Sequence, residues 1–328
     1  MIKYVVIFIL ITIIGIFYDK YMKKVERETI TSDYDLVKKY LLNEEAFSSN
    51  TPIIWVHLDY KMNSREWLNF GSRNTKGLNQ PYKYITIQSI INRAKGKFNV
   101  CLVDDESFAK LIPGWRIDIG RVSDPMKEHF RTLGIVKLLY YYGGMSLSSS
   151  YLALEDLDKI YGKGLEQTTA FTFEGINRTM SSYVGNKIND YTPNYKMMGC
   201  VKHSPIMKEL VLYLERLNSK DFTNEQDFVG DINRWLYSKI VEVDLDKKMN
   251  IIDGGLIGIK NREGQPVLLD DLLESSYIDF VDELQGIYIP DDEILKRTKY
   301  EWFARLGPKE IYDSNIILGK YMLLSNGM

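Results

Sequence analysis

Val136-Lys-Leu-Leu-Tyr-Tyr-Tyr-Gly-Gly-Met-Ser-Leu-Ser-Ser-Ser150 decides how the rest of the chain is read. Met126, Phe130, Leu133, Val136 and Tyr140 recur at helical spacing, and the paired glycines Gly143 and Gly144 stop that helix. Asp124-Pro125 is expected to open it, with Asp as the cap and proline at the first helical position. Met145 to Leu154 then reads as a strand, so a helix passes through glycine directly into β structure.

The same alternation continues outward. Pro52-Ile-Ile-Trp-Val-His-Leu58 reads as a buried first strand. Gln80 to Lys95 reads as a helix with Tyr84, Ile87, Ile90 and Ile91 on one face, and Phe98 to Val103 as a second strand. That strand runs into Asp104-Asp105-Glu106-Ser107, followed by a short helix over Ser107–Leu111 that stops near Pro113-Gly114. Leu154 to Leu157 starts a turn or helix, and Thr168–Glu174 is another strand. Ser204–Leu217, with Pro205 at its start, and Glu225–Lys239 are amphipathic helices. Strands alternating with helices predict an α/β domain with a largely parallel sheet. Ligands of such sheets bind beyond the carboxyl ends of the strands, which puts Asp104–Asp105 and Ser148–Ser150 near one edge.

Composition narrows the function classes. The 328 residues are 45% hydrophobic, enough for one large domain or a domain plus an anchor. A net charge of −2 gives no footprint for bulk nucleic-acid binding. Cys101 and Cys200 are too few for a disulfide framework or a zinc site, and His57, His129 and His203 have no metal-ligand spacing. Tyr4 to Tyr18 is an uninterrupted apolar run that, with Met1 and Ile2, approaches the shortest bilayer span of about 17 residues. No small-x-small cleavage site follows it, so residues 1–18 read as an uncleaved single-pass membrane anchor, 19–50 as a stem and 51–328 as the globular domain. Lys20, Lys23, Lys24 and Arg27 follow the span while Lys3 alone precedes it, which by the positive-inside tendency keeps the domain cytoplasmic.

The motifs resemble a family of glycosyltransferases built around a sugar-binding region with a DXD motif, which includes capsular polysaccharide synthesis proteins and fungal α-mannosyltransferases. The resemblance rests on Pro52-Ile-Ile-Trp-Val-His57, on Val100 to Glu106, on Leu138-Leu-Tyr-Tyr-Tyr-Gly-Gly144 and on Met198-Gly-Cys-Val-Lys-His-Ser-Pro205, and covers roughly residues 52–215. Together with Leu78-Asn-Gln-Pro-Tyr82, the double-glycine stretch is also similar to uncharacterised proteins of large algal DNA viruses. The resemblance implies a glycosyltransferase-A-like, Rossmann-like nucleotide-diphospho-sugar transferase fold. It also implies a nucleotide-sugar donor, a glycan or glycoprotein acceptor, and retention at the transferred sugar. Anchored members in eukaryotes face the lumen, where the sequon Asn177-Arg-Thr179 would be allowed, so the side of the membrane stays open.

This chain departs from the family where its chemistry is concentrated. The two DXD carboxylates, which hold Mn²⁺ or Mg²⁺ on the donor diphosphate, are replaced by Ser148 and Ser150. Thr132 and Ile135 fill the places of an Asp and an Arg upstream of the glycines, with Arg131 adjacent. A hydroxyl is a poor substitute for an anionic hard ligand, so no metal site is expected unless other acids replace the missing pair. Candidates for catalysis are Asp104, Asp105 and Asp227. Donor-binding candidates are His57, Arg131, Lys137, Gly143, Gly144, Ser148 and Ser150, with Lys127, Arg116 and Arg121 as further cations. Each has a plainer reading: Ser148 and Ser150 form a polar turn, Asp104 and Asp105 cap the helix that follows, Asp227 caps or lines a helix, His57 is a core or hydrogen-bonding histidine, and of Tyr140–Tyr142 at least one ring is core while the others line the cleft. Asp253-Gly254-Gly255, Gly258 and Pro290-Asp-Asp-Glu293 are turns by composition. Two functions remain open: a sugar transferase, metal-dependent or using cations alone, and an inactive glycosyltransferase fold serving as a membrane-tethered, even virion, scaffold.

Overall fold

The computed structural model describes residues 51–58, 80–94, 97–177, 183–184, 187–188, 190–220, 225–244, 248–296 and 298–327. The expected anchor and stem lie outside these residues. Among the described residues no helix is long and apolar enough to cross a membrane.

Strand β1 (Ile53–His57), helix α1 (Tyr82–Ala94), β2 (Asn99–Val103), α2 (Ser107–Leu111) and α3 (Met126–Tyr142) follow the sequence reading to within a few residues. β3 (Gly144–Leu147), β4 (Tyr151–Ala153), α4 (Leu157–Gly164) and β5 (Ala170–Ile176) come next. A small pair, β6 (Tyr183–Val184) and β7 (Lys187–Ile188), precedes the long β8 (Tyr191–Cys200). Helices α5 (Pro205–Asn218) and α6 (Glu225–Ile240) lead to β9 (Asn250–Ile252). Helix α7 (Leu269–Leu273), β10 (Gly286–Tyr288) and α8 (Asp291–Lys296) are followed by α9 (Glu301–Arg305), α10 (Pro308–Asp313) and α11 (Ile317–Asn326).

Six strands form the central sheet in the order β2-β1-β3-β8-β5-β9. β1 is parallel to β2 and β3, β5 is parallel to β9, and β8 runs antiparallel to both β3 and β5. The fold is therefore α/β with a parallel-rich sheet in which β8 is the reversed strand. Alternate residues of β1 and β2 enter different cores. Ile53, Trp55, Cys101 and Val103 pack with Leu133, Val136 and Leu139 of α3 and with Ile206, Leu210 and Leu214 of α5. Ile54, Val56, Val100 and Leu102 pack with Ile87, Ile90 and Ile91 of α1 and with Leu157 and Ile160 of α4. Both faces are covered, which is why these strands read as continuous apolar runs. Both cysteines are free and buried.

The carboxyl-terminal segment, without a readable motif, builds a third core. Leu269, Leu272, Phe303, Ile311 and Met322 close over Tyr82 and Ile85 of α1 and over Leu152 of β4. Helix α1 is thus packed on two sides, and its small polar residues serve the neighbouring chain. Thr86 Oγ1 donates to the Ser149 carbonyl at 2.6 Å, and Ser89 Oγ accepts from the Ala153 amide at 2.9 Å.

Three expectations need correction. Met145–Leu154 is not one strand. A turn at Ser148–Ser150 breaks it, with the Ser150 amide donating to Ser148 Oγ at 3.1 Å and the Tyr151 amide to the Ser148 carbonyl at 3.0 Å. β4 then leaves the central sheet to pair with β10; serine side chains stabilise such turns by bonding their own backbone. Helix α3 begins at Met126, with Pro125 before it and no side-chain cap from Asp124. Its first amides find backbone carbonyls instead, Lys127 on Ser123 and Glu128 on Pro125. Pro290–Glu293 is not a turn alone, because Asp291, Asp292 and Glu293 form the first turn of α8, where acids complement the helix dipole.

Candidate functional site

The carboxyl ends of β1, β2 and β3 converge because the three strands are parallel neighbours. β1 ends in His57 and β2 ends just before Asp104-Asp105. Asp104 turns back on its own helix, accepting from the Ser107 amide at 2.9 Å and from Ser107 Oγ at 2.6 Å. Asp105 faces across the strands. It shares a hydrogen bond of 3.1 Å with His57 Nε2 and accepts two from Arg131, at 2.7 Å each, in a fork. Arg131 also donates to Glu128 Oε1 at 2.5 Å, one turn earlier on α3. Burial raises the Asp105 carboxyl, but the hydrogen bonds and charge of His57 and Arg131 outweigh it and hold the group well below the usual carboxylate range. His57 stacks on Phe108, with ring centroids 5.7 Å apart, which fixes its plane.

An open cleft of about 1070 Å³ borders this network, lined among others by Asp104, Asp105, Trp115, Arg116, Lys127 and Arg131. Its charged walls and position beyond the strand ends match where α/β sheets bind ligands.

The glycines act through backbone geometry. Gly143 and Gly144 are buried, with φ of 74° and 93°. A Cβ on Gly144 would sit 1.9 Å from the Ile53 carbonyl oxygen, and one on Gly143 would sit 2.7 Å from the Lys202 amide. The Gly143 carbonyl accepts from Trp55 Nε1 at 3.0 Å. The pair therefore lets β3 lie against β1 and sets where the Ser148–Ser150 turn falls. Ser148 is half-buried at that turn, while Ser150 is fully buried, with its Oγ 2.8 Å from the Tyr82 hydroxyl. Burial pushes the Tyr82 phenol well up, so this stays a hydrogen bond between neutral groups.

Other sequence candidates lie apart. Lys137 pairs with Glu215 of α5 at 2.7 Å and sits over the Trp115 ring. Asp227 is exposed near the start of α6. Arg121 pairs with Asp118 on an exposed turn. Tyr140–Tyr142 are half-buried against the first core, with the Tyr142 hydroxyl on the Leu111 carbonyl at 2.6 Å. The structure thus brings His57, Asp105 and Arg131 together, places Ser148 beyond β3, and puts Lys137 further along α3 and Asp227 on α6.

Ser148, Ser150, Asp104 and Asp105 do not together fit a divalent cation. Ser150 is enclosed with Tyr82, Asp104 is engaged by Ser107, and Asp105 is forked by Arg131. Among the described residues no group of three His, Cys, Asp or Glu could hold a metal ion.

Glu128 and Lys196 were not singled out from the sequence. Glu128 stands three residues before Arg131 on the same helix, a spacing that signals an ion pair. Lys196 follows Pro193, and a proline within a central strand marks a bulge.

No protein-family model matches the chain, and no curated protein does. Among solved structures it is similar to the galactosyltransferase LgtC in complex with donor and acceptor sugar analogues, at 12% identity and a TM-score of 0.29, over 60% of this chain and 82% of that one. An active-site mutant of LgtC is similar at 11% identity and a TM-score of 0.28, over 58% and 79%.

Proposed function

We propose that this chain is a membrane-anchored, glycosyltransferase-A-like protein that binds a nucleotide-sugar in the cleft beyond β1, β2 and β3 and transfers the sugar to a glycan or glycoprotein. The observation that carries this reading is the convergence of His57, Asp105 and Arg131 at the carboxyl edge of three parallel strands, beside a cleft of about 1070 Å³. That volume reaches the upper end of what small-ligand sites enclose. The sequence resemblance around the double glycine independently points to the same ligand class.

Within this reading Arg131 and Asp105 are positioning residues. The fork fixes the α3 start against β2, and His57 is held in plane between Asp105 and Phe108. Lys127 and Arg116 lie on the cleft wall, where cations meet a diphosphate.

Calorimetric titration of the full-length chain in mild detergent with a panel of nucleotide-sugars tests the reading. Saturable binding of one donor, followed by transfer or hydrolysis of its sugar, is the expected result. Absence of binding for the whole panel would reject it and leave the inactive, scaffolding role.

A further inference from the structure

β8 does not run straight. Its ladder with β5 sets Met198 opposite Thr172 and then Asn194 opposite Phe173, so Tyr195, Lys196 and Met197 bulge out of register. Bulges re-aim side chains and are frequent beside binding sites. Hydroxyls inside the sheet hold this one. Thr172 Oγ1 donates to the Asn194 carbonyl at 2.9 Å. Ser146 Oγ lies 3.2 Å from the Lys196 and Met198 carbonyls and 3.1 Å from the Met198 amide. The Lys196 amide donates to Asn194 Oδ1 at 3.0 Å. Ser146 and Thr172 are 2% and 0% exposed, so buried hydroxyls find their partners in the bulge itself.

The bulge lies beside the serine turn. The last β3–β8 pair is Ser146 with Met198; the Lys196 carbonyl meets Ser146 Oγ, and Ser148 stands just past the end of β3. The Lys196 side chain is exposed, with its ammonium over the Tyr195 ring, 5.9 Å from the centroid, and within electrostatic reach of Glu128, Tyr288 and Asp291. Glu128 is paired with Arg131 and Asp291 with Lys83. Lys196 is in no ion pair among the described residues, unlike Arg131 and Lys137, the cations picked out from the sequence.

From this placement we infer that Lys196 is the fixed positive charge that receives the donor diphosphate, standing where the resembling family holds a divalent cation. This inference rests on the nucleotide-sugar reading above. An ammonium presents three donors and binds phosphate as a point charge. It needs no carboxylate ligands, which accounts for neutral Ser148 at this position: an acid there would pair with Lys196 and cancel its charge.

The test is titration of the full-length chain in detergent with adenosine, cytidine, guanosine and uridine diphosphates, once in excess EDTA and once in Mn²⁺. Wild type is expected to bind one of them equally in both. Lys196→Ala and Lys196→Met are expected to weaken that binding at least tenfold, which is ~1.4 kcal/mol, with an unchanged melting temperature. Lys196→Arg retains binding, and Ser148→Asp weakens it in EDTA. Wild-type binding that requires Mn²⁺, or full affinity in both neutral variants, overturns the role of Lys196 and leaves the nucleotide reading standing. Failure of wild type to bind any of these diphosphates overturns both.

Discussion

At the β1–β2 edge of the site, His57, Asp105, Arg131 and Glu128 are tied into one hydrogen-bonded network, with Arg131 buried at its centre. At the β3–β8 edge a bulge carries Lys196, whose carbonyl meets Ser146, into solvent, outside any ion pair among the described residues. The first arrangement holds three elements in place. The second leaves a charge available to a ligand. Arginine suits the first role, since its planar fork matches a carboxylate, and lysine suits the second as a compact point charge. On the proposed reading, the cation marked by its place in the sequence motif is structural, and the ligand-facing one comes from a neighbouring strand.

Gly144 joins the two edges, and replacing it should have the largest effect. Gly144→Ala puts a Cβ 1.9 Å from a backbone oxygen at a φ of 93°, and neither can yield without separating β3 from β1. A loss of roughly 4 kcal/mol or more is expected, visible in urea denaturation as a collapsed midpoint; a midpoint near wild type would mean that β3 is not seated there.

Arg131→Met comes next. It strands two carboxylates whose side chains are 24% and 25% exposed, so the cost should fall at the low end for a broken buried pair, roughly 3 kcal/mol. Lys196→Met, by contrast, should alter stability by less than about 0.5 kcal/mol. Equal destabilisation by the two variants would erase the distinction between the edges.

Acid should act on one edge only. The folded Asp105 carboxyl titrates below its unfolded value, which is about 3.9. Its contribution is therefore present in full above that value and is lost as pH falls from about 4 toward the lower folded pKa. Denaturation midpoints measured down this range should fall less steeply in Asp105→Asn than in wild type. Parallel slopes would show that Asp105 is not held as an ion in the fold.

The smallest effect is expected at the turn. Ser148→Ala removes one side-chain acceptor for the Ser150 amide, costing roughly 0.5–1 kcal/mol, and should leave diphosphate affinity within about twofold. A larger affinity loss would mean that the Ser148 hydroxyl itself contacts the ligand.

Much of the scaffold is legible because its signals are local. The apolar runs of β1 and β2 and the spacing along α1, α3, α5 and α6 all lie within short windows. The break at Ser148–Ser150 is less legible, because Met145–Leu154 keeps strand composition and β4 is drawn away by β10, far along the chain. The candidate site was read in part: the sequence marks Asp105 and Arg131 individually, but not that each engages the other.

By itself the sequence determined an α/β alternation, helices closed by glycine and proline, strands apolar on both faces, and a double glycine whose backbone angles other residues rarely adopt. Periodicity, propensity and turn chemistry act over a few residues and need no knowledge of neighbours. Tertiary structure alone decided that Arg131 is engaged, that Ser150 is enclosed with Tyr82, and that the Lys196 backbone meets Ser146. Those facts join residues that are 26, 68 and 50 positions apart, as in Arg131–Asp105, Tyr82–Ser150 and Ser146–Lys196. Strand order and bulge register fix such distances, and they form only when the whole sheet assembles.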